Sequence, residues 1–372
     1  MAATVVEPTQ SFSTDLPAAA LEFCPVEPFT DVFVTGTYKL HESDPDGKQE
    51  EVASGAEQQT RSGRCLIYQK DATGFRRMQE LDFAGILDLK WNHAPSSAPL
   101  LGVADSIGQI SILNLSKDES SQSPRLSTIH TIQCGATSST LCLSLDWSNR
   151  RGQGVGFIAT SLSDGVISVL RPSEGAWDIA QTWKAHEYEP WVVAFDYWNE
   201  NVVYSGGDDL TFRGWDIRAC TEDDSPPTAL FKDKKSFSGG VTSIQSSPHD
   251  EHILAVGSYD ESLLIFDTRN LSRPLVRTQV NVGGGVWRVK WHPSPKRKGD
   301  LLVAAMHDGA KVVRVQGLGD APSEVWEAQV TKRFEKHESM AYGADWSYGG
   351  EGEETCVATC SFYDKAMYVW SG

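Results

Sequence analysis

The sequence has few of the features that mark membrane-spanning, secreted or nucleic-acid-binding proteins. No apolar run reaches the roughly 18 residues that a membrane-spanning helix needs. The N-terminal stretch has neither the basic start nor the apolar core of a secretory signal, so we expect a cytoplasmic protein. The formal net charge of −17 argues against nucleic-acid binding, which requires a positive surface, and is compatible with a basic protein partner.

Cysteines and catalytic motifs are also scarce. The seven cysteines include no CxxC pair. Cys356 and Cys360 would lie roughly 13 Å apart on one strand, too far for a disulfide, so we expect reduced thiols. No His/Cys spacing predicts a metal site, and the chain lacks the GxSxG, HExxH and GxxxxGK[ST] signatures. Motifs alone therefore favour a non-catalytic scaffold that binds other proteins.

A short strand-like phrase recurs seven times along the chain. Each copy is an aliphatic or aromatic run that ends in an aromatic, aliphatic or basic residue, often followed by an acid. Successive copies lie about 45 to 57 residues apart, which is the period of four-stranded propeller blades. The copies are RCLIYQKD (64–71), QISILNL (109–115), VISVLR (166–171), TFRGWDIR (211–218), LLIFDTR (263–269), KVVRV (311–315) and MYVWS (367–371).

The repeat predicts an all-β fold, a seven-bladed β-propeller that occupies residues 1–372 as a single domain. Asp and Gly residues precede five of the repeated phrases, as expected for hairpin turns. Because the chain ends after the third strand of its last blade, residues 10–17 are predicted to supply the fourth strand and close the ring. The acidic segment 41–59 is predicted to be a disordered loop, as are 116–125 and 219–228.

Two blades carry residue sets that resemble the hydrogen-bonded tetrad of WD-repeat proteins. The set in the fourth blade is His186, Ser205, Asp209 and Trp215. The set in the last blade is His337, Asp364 and Trp370, with Cys360 at the serine position. Because buried His and Asp side chains need hydrogen-bond partners, which a turn supplies, structural roles are favoured over catalytic ones. The fold is therefore interpreted as a WD-repeat propeller.

Other residues are expected to surround the mouth of the central channel. The residue before each turn Asp should project onto the face of the propeller, because the Asp itself folds inward. These residues are Ser163, Asp208, Tyr259, His307 and Tyr363. The starts of innermost strands add Trp191, Trp287, Arg288 and Tyr342. Aromatic residues with one arginine around a funnel indicate a binding site, although core packing explains the aromatic residues equally well.

Several longer phrases are more specific than a generic WD repeat. They are HEYEPWVVAFDYWNENVVYSGGDDLTFRGWDIR (186–218), GSYDESLLIFDTR (257–269), GGGVWRVKWHP (283–293), AAMHDGAKVVRV (304–315), HESMAYGADW (337–346) and TCSFYDKAMYVW (359–370). Together they resemble the WD-repeat diphthine methyl ester hydrolases of diphthamide biosynthesis, over roughly residues 80–372. The resemblance implies removal of a methyl group from over-methylated diphthine on a histidine of translation elongation factor 2, without a cofactor. It supplies no signature nucleophile.

Ester hydrolysis requires an activated water or nucleophile, a general base and donors for the developing oxyanion. His307 is the predicted base, because it is the only histidine at a face-projecting position. Asp208 is predicted either to orient His307 or to bind the trimethylammonium group of the substrate. The oxyanion would be stabilised by Arg288 or by a tyrosine hydroxyl.

The aromatic residues are predicted to bind the substrate. Tyr259, Tyr363 and Trp287 would form a cage for the quaternary cation, with Trp191 and Tyr342 beside them. We expect a monomer that binds elongation factor 2 and neither nucleic acid nor membranes. The alternatives are a non-catalytic WD-repeat adaptor for protein complexes and an adaptor that presents substrates to a ubiquitin ligase.

Overall fold

The regular structure of this chain is built from short β-strands. The computed structural model describes residues 3–41, 60–94, 98–137, 139–152, 154–218, 226–318, 325–348 and 354–372. Within these ranges the one helical segment is the 3-10 turn Pro295–Arg297, and no helix is long and apolar enough to cross a lipid bilayer.

The strands of the N-terminal half are β1 (Thr4–Val5), β2 (Pro8–Ser13), β3 (Ala18–Phe23), β4 (Val32–Thr37), β5 (Lys39–His41), β6 (Thr60–Asp71), β7 (Gly74–Ala84), β8 (Ile86–Trp91), β9 (Leu100–Asp105), β10 (Gln109–Lys117), β11 (Pro124–Gln133), β12 (Cys142–Trp147), β13 (Ile158–Leu162), β14 (Val166–Ser173) and β15 (Ala176–Lys184). Those of the C-terminal half are β16 (Val192–Phe195), β17 (Val202–Gly206), β18 (Phe212–Asp216), β19 (Thr228–Asp233), β20 (Val241–Ser246), β21 (Ile253–Ser258), β22 (Ser262–Asp267), β23 (Leu275–Asn281), β24 (Arg288–Trp291), β25 (Asp300–Ala304), β26 (Ala310–Gln316), β27 (Glu327–Phe334), β28 (Ala341–Trp346), β29 (Cys356–Ser361) and β30 (Ala366–Ser371).

These strands form seven sheets, the blades of a propeller, and the predicted all-β seven-bladed fold is confirmed. Blade 1 contains β3, β4, β6 and β7, with β5 also on β6; blades 2 to 6 take four consecutive strands each, from β8 to β27. Blade 7 contains β28, β29 and β30 and is completed by β2, which pairs antiparallel to β30 with Phe12 opposite Met367. The N-terminal strand therefore closes the ring, as predicted, although it spans Pro8–Ser13 rather than residues 10–17.

Large apolar side chains fill the spaces between neighbouring blades. Trp91, Trp147 and Trp346 end three innermost strands and are fully buried. Each indole N–H donates to a backbone carbonyl on the innermost strand of the preceding blade, as in the bond from Trp147 to Lys90 at 2.9 Å. A buried Trp needs such a partner for its N–H, so these residues both pack the blades and fix their register around the ring.

The innermost strand of each blade leaves one edge facing the channel, where backbone N–H groups lack a strand partner. Buried acids of the preceding blade supply acceptors. Asp88 accepts from the N–H of Leu145 at 3.2 Å, and Asp146 accepts from Phe195 at 2.8 Å. A buried unpaired N–H costs roughly 1–3 kcal/mol, so these carboxylates stabilise the ring closure itself.

The predicted loops are only partly described. Residues 118–123 form a turn in which the Asp118 carboxylate accepts hydrogen bonds from Ser120 and Ser121, so the prediction of disorder for this segment is wrong. The acidic segment 42–59 and residues 219–225 lie outside the described residues. The six described cysteines, which include Cys356 and Cys360, are free thiols.

Candidate active site

The direction of the innermost strands distinguishes the two ends of the central channel. The innermost strands of all blades run the same way, so their starts gather at one end, called here the first mouth, and their ends at the other, the second mouth. Trp191 and Trp287 immediately precede β16 and β24, and Tyr342 is the second residue of β28. The turn after the second strand of each blade reaches the same end. The predicted site residues that precede the turn Asp residues and those at the starts of innermost strands therefore both belong to the first mouth.

Four of these residues form a continuous band of rings, called here the aromatic row: Trp191, Tyr259, Trp287 and Tyr342. The ring centroids of Trp191 and Trp287 are 5.7 Å apart, those of Tyr259 and Trp287 are 5.8 Å apart, and those of Trp287 and Tyr342 are 4.8 Å apart. The four residues are half-buried, and they come from four consecutive blades. This arrangement exposes ring surface at the mouth that a cation can contact.

The row continues through residues that sequence reasoning missed. The Phe362 ring lies 5.5 Å from Tyr342, 6.0 Å from Tyr38 and 5.0 Å from Tyr363. Phe362 precedes Tyr363 in the turn of blade 7. Its place next to a face-projecting residue could have identified it as part of the row. Tyr38 directly follows β4, as Tyr259 directly follows β21 and Phe362 directly follows β29, so comparison of equivalent positions was a signal for it. Tyr363 itself is 71% exposed at the outer end, away from Trp287.

Asp208 lies at the opposite end of the aromatic row. Its carboxylate accepts a hydrogen bond of 2.7 Å from the indole N–H of Trp191. The side chain is exposed, and its backbone N–H donates to the carbonyl of Glu189. Among the described residues no hydrogen bond joins Asp208 to His307, which belongs to the turn of blade 6 rather than blade 4. Of its two predicted roles, the contact with Trp191 favours cation binding over the orientation of His307.

His307 projects from the turn between β25 and β26 and is exposed. Its neighbours fix the turn: the Met306 carbonyl accepts from the N–H of Ala341, and the Asp308 carboxylate pairs with Lys311 at 2.7 Å. A Cβ placed on Gly285 would come within 2.6 Å of the Met306 sulfur and 3.4 Å of the Tyr259 ring, so this turn lies next to the aromatic row. No hydrogen bond or ion pair engages the His307 imidazole within the part of the chain that the structure describes.

Two tyrosines of the row are protonated donors. Burial raises the pKa of Tyr259 above its ordinary value, and the nearby Tyr342 and Asp208 raise it further. Burial likewise raises the pKa of Tyr342. Both phenols therefore keep their protons at neutral pH and can donate hydrogen bonds to a developing negative charge.

Arg288 is the first residue of β24, but its side chain turns into the channel rather than onto the first mouth. Its side chain is 12% exposed, and its guanidinium pairs with Asp88 of blade 2 at 3.0 Å, across the channel. Asp88 also pairs with Lys90 at 2.6 Å. Burial alone would raise the pKa of Asp88, but Arg288 and Lys90 bring it below its ordinary value. Arg288 thus belongs to a buried ion-pair network inside the channel, so the geometry favours tyrosine as the oxyanion donor.

In blade 4 the predicted tetrad forms a continuous chain of hydrogen bonds. The His186 Nδ1 lies 2.9 Å from Asp209 Oδ1, and its Nε2 lies 2.7 Å from the Ser205 hydroxyl. The Trp215 indole donates to the same hydroxyl at 2.9 Å. Burial lowers the pKa of His186, although Asp209 opposes the shift. The ring is buried and both of its nitrogens have partners, which favours the structural interpretation of this histidine.

The corresponding set in blade 7 differs from the prediction. Thr359, not Cys360, takes the serine position: its hydroxyl lies 2.9 Å from His337 Nε2 and accepts from the Trp370 indole at 3.2 Å. Cys360 lies on the other side of the strand, against Gly343. The His337 Nδ1 contacts Ser361 at 2.6 Å, while Asp364 accepts from the backbone N–H of Glu338 instead.

Comparisons with known proteins agree with this architecture. The family model "WD domain, G-beta repeat" matches residues 231–267. The chain is 40% identical to "Diphthine methyltransferase" of Homo sapiens over 91% of its own length and 74% of that protein, and 33% identical to "Diphthine methyltransferase homolog" of Dictyostelium discoideum over 96% of both. A chain in "Crystal Structure of Mitotic Checkpoint Complex" shares the fold, with a TM-score of 0.66 at 14% identity, over 99% of this chain and 92% of that one.

Proposed function

The chain belongs to the diphthine methyltransferase family, and we propose that it removes the methyl group from methylated diphthine on elongation factor 2 by ester hydrolysis. The proposal places this reaction at the first mouth, in a protein of the cytoplasm. The observation that carries it is the aromatic row, which runs from the Asp208 carboxylate to the turn that holds an exposed histidine.

The aromatic row suits the cationic part of the substrate. A trimethylammonium group donates no hydrogen bond, so it is recognised by ring faces and by a nearby negative charge. Trp191, Tyr259 and Trp287 supply three rings whose centroids lie within 6.4 Å of one another, and Asp208 supplies the charge. The row therefore holds the cation and directs the attached ester toward the turn of blade 6.

His307 acts as the general base in this scheme. It takes a proton from water as the water oxygen attacks the ester carbonyl, and the proton then goes to the departing methoxide, which leaves as methanol. A histidine suits both transfers near neutral pH. The phenol of Tyr259 or Tyr342 donates to the oxyanion of the tetrahedral intermediate. The product is a free carboxylate on the elongation factor.

Methyl transfer is the second candidate, because the printed names of the relatives are those of methyltransferases. The two reactions change the substrate mass in opposite directions. Hydrolysis removes about 14 Da from methylated diphthine and releases methanol, whereas transfer adds about 14 Da to its acceptor.

The deciding experiment is incubation of the purified chain with elongation factor 2 that carries methylated diphthine. Intact-peptide mass spectrometry and a methanol assay follow the reaction. Loss of 14 Da with stoichiometric methanol supports hydrolysis. In a parallel reaction with unmethylated elongation factor 2 and an added methyl donor, a gain of 14 Da supports transfer. Binding without any mass change would overturn the hydrolase proposal and favour the adaptor. His307→Ala should slow the reaction about 10²- to 10⁴-fold, while His130→Ala, on an outer strand of blade 2, serves as the matched control.

A further inference from the structure

The second mouth contains a pocket that the proposed reaction does not use. It is lined by residues at or just beyond the ends of innermost strands, among them His93, Arg150, Tyr197, Trp291 and Tyr348. Its volume is about 230 Å³. That is smaller than the roughly 300–1,000 Å³ typical of pockets for drug-sized ligands, so it fits a group of about one residue.

Arg150 is the central polar group of this pocket. Its side chain is only 9% exposed, and one terminal nitrogen lies 3.3 Å from Asp146. The guanidinium stands 4.4 Å from the centroid of the Tyr197 ring. Its Nε is buried and has no hydrogen-bond partner among the described residues. Because that buried nitrogen is closed to a ligand, the donor that remains for one is the terminal nitrogen that Asp146 does not engage.

The charges around Arg150 favour a carboxylate over a phosphate as the anion that this pocket binds. Asp146 already pairs with it, and Glu22 lies close enough to raise the pKa of the Arg150 guanidinium together with Tyr197 and Asp146, against the lowering effect of burial. A doubly charged phosphate would meet these carboxylates with twice the repulsion that a carboxylate would. A carboxylate also matches the planar fork of a guanidinium.

The walls and rim of the pocket define the rest of the ligand. Trp291, Pro293 and Tyr348 provide apolar surface around Arg150. At the rim, the exposed Arg151 stacks on Trp198, with its guanidinium carbon 3.6 Å from the ring centroid. A second cation at the entrance attracts an anion without burying another charge.

We propose that the second mouth binds a carboxylate carried on an apolar body of about one residue, as the C-terminal residue of a peptide or a free carboxylic acid of that size presents. The Arg150 guanidinium receives the carboxylate through the terminal nitrogen that Asp146 does not engage, and the aromatic and proline walls cover the apolar body. The site is independent of the methylated substrate, which occupies the opposite mouth.

Isothermal titration calorimetry on the full chain tests the site with matched probes. N-acetylphenylalanine represents the free acid, and a hexapeptide of glycine and serine ending in phenylalanine represents the chain terminus. We expect the acids to bind and their C-terminal amides to bind at least tenfold more weakly, because the amide loses the charge-assisted bonds. A tighter peptide identifies a chain terminus as the source, whereas equal affinity of the two acids identifies the single residue as sufficient.

Two variants locate the binding. Arg150→Lys keeps a cation beside Asp146 but removes the guanidinium fork, so it should weaken both acids at least tenfold while leaving the amides unchanged. Arg151→Glu, at the exposed rim, should weaken the acids several-fold without altering the fold, and it locates the site if Arg150→Lys is insoluble. The proposal is overturned if neither acid binds at millimolar concentration, if acid and amide bind equally, or if Arg151→Glu and every soluble Arg150 variant bind like the unmodified chain.

Discussion

Replacing Trp287 by leucine tests the cation-binding role of the aromatic row. Trp287 stands at its centre, with the rings of Trp191, Tyr259 and Tyr342 all within 5.8 Å. Its backbone N–H bonds to the carbonyl of Ala304, so leucine keeps the backbone anchor and part of the apolar volume. What it removes is the electron-rich indole face.

The expected magnitude follows from the burial of the row. Cation–π contacts contribute about 0.5–1 kcal/mol at exposed sites and about 2 kcal/mol or more when desolvated. Since Trp287 is half-buried, a loss of about 1–1.4 kcal/mol is expected. Because 1.4 kcal/mol corresponds to a tenfold change, KM for methylated diphthine should rise about 5- to 10-fold. The kcat should change less, because the cation is not at the reacting carbonyl.

The assay compares KM for a diphthine methyl ester peptide with KM for an isostere in which carbon replaces the quaternary nitrogen. The leucine variant should lose affinity only for the charged substrate. Tyr363→Leu, which changes a 71% exposed ring at the far end of the band, is the matched control and should alter KM less than twofold. The reasoning is refuted if Trp287→Leu leaves KM for the cation unchanged, or if charged and neutral substrates lose affinity equally.

Three further perturbations separate chemistry from folding. His307→Ala should lower kcat about 10²- to 10⁴-fold at an unchanged melting temperature, whereas His186→Ala should lower the melting temperature; the reverse pattern in activity and thermal-melting assays would exchange their roles. Thr359→Val keeps the side-chain shape but leaves the Trp370 indole without its acceptor and His337 Nε2 without its hydrogen-bond partner, so urea unfolding should show a loss of about 1–3 kcal/mol; no loss would contradict the hydrogen-bond network. Burial lowers the pKa of His337 from 6.5 to about 4, so the unfolded chain binds a proton first as pH falls. Relative to a His337→Gln variant, stability in urea should therefore drop by about 2 kcal/mol between pH 7 and pH 5, and a pH-independent difference would show that His337 titrates normally.

The sequence was sufficient for the blade count and for interactions within one blade. The repeated phrases mark the third strand of each blade, and the period leaves room for four strands in each unit. Ser205 and Trp215 lie on adjacent strands of one blade, and His186 lies in the loop before the innermost strand of that blade, so their spacing alone brings them together. In blade 7 the same reasoning failed by one residue. Successive side chains on a strand point to opposite faces, so assigning Cys360 instead of Thr359 selected the wrong side.

Contacts across the channel could not be predicted in this way. Arg288 begins an innermost strand, as do the aromatic residues of the mouth, yet its partner is Asp88, 200 positions earlier. That pairing depends on the ring closing so that blades 2 and 6 face each other, and on a long side chain turning inward. The aromatic row was predicted as a set, but its order and its extension to Tyr38 are products of the same closure.

Buried charged residues line the channel between the two proposed binding sites. Glu22 pairs with Lys290 and Asp88 pairs with Arg288, so the acids and bases between the mouths offset one another. A space of about 20 Å³ beside these groups has room for about one water molecule. In the two proposals the charge that selects the ligand comes from the residues of each mouth: Asp208 at the first, Arg150 and Arg151 at the second. The same inner strands that hold the blades together would therefore serve a cation-binding end and an anion-binding end.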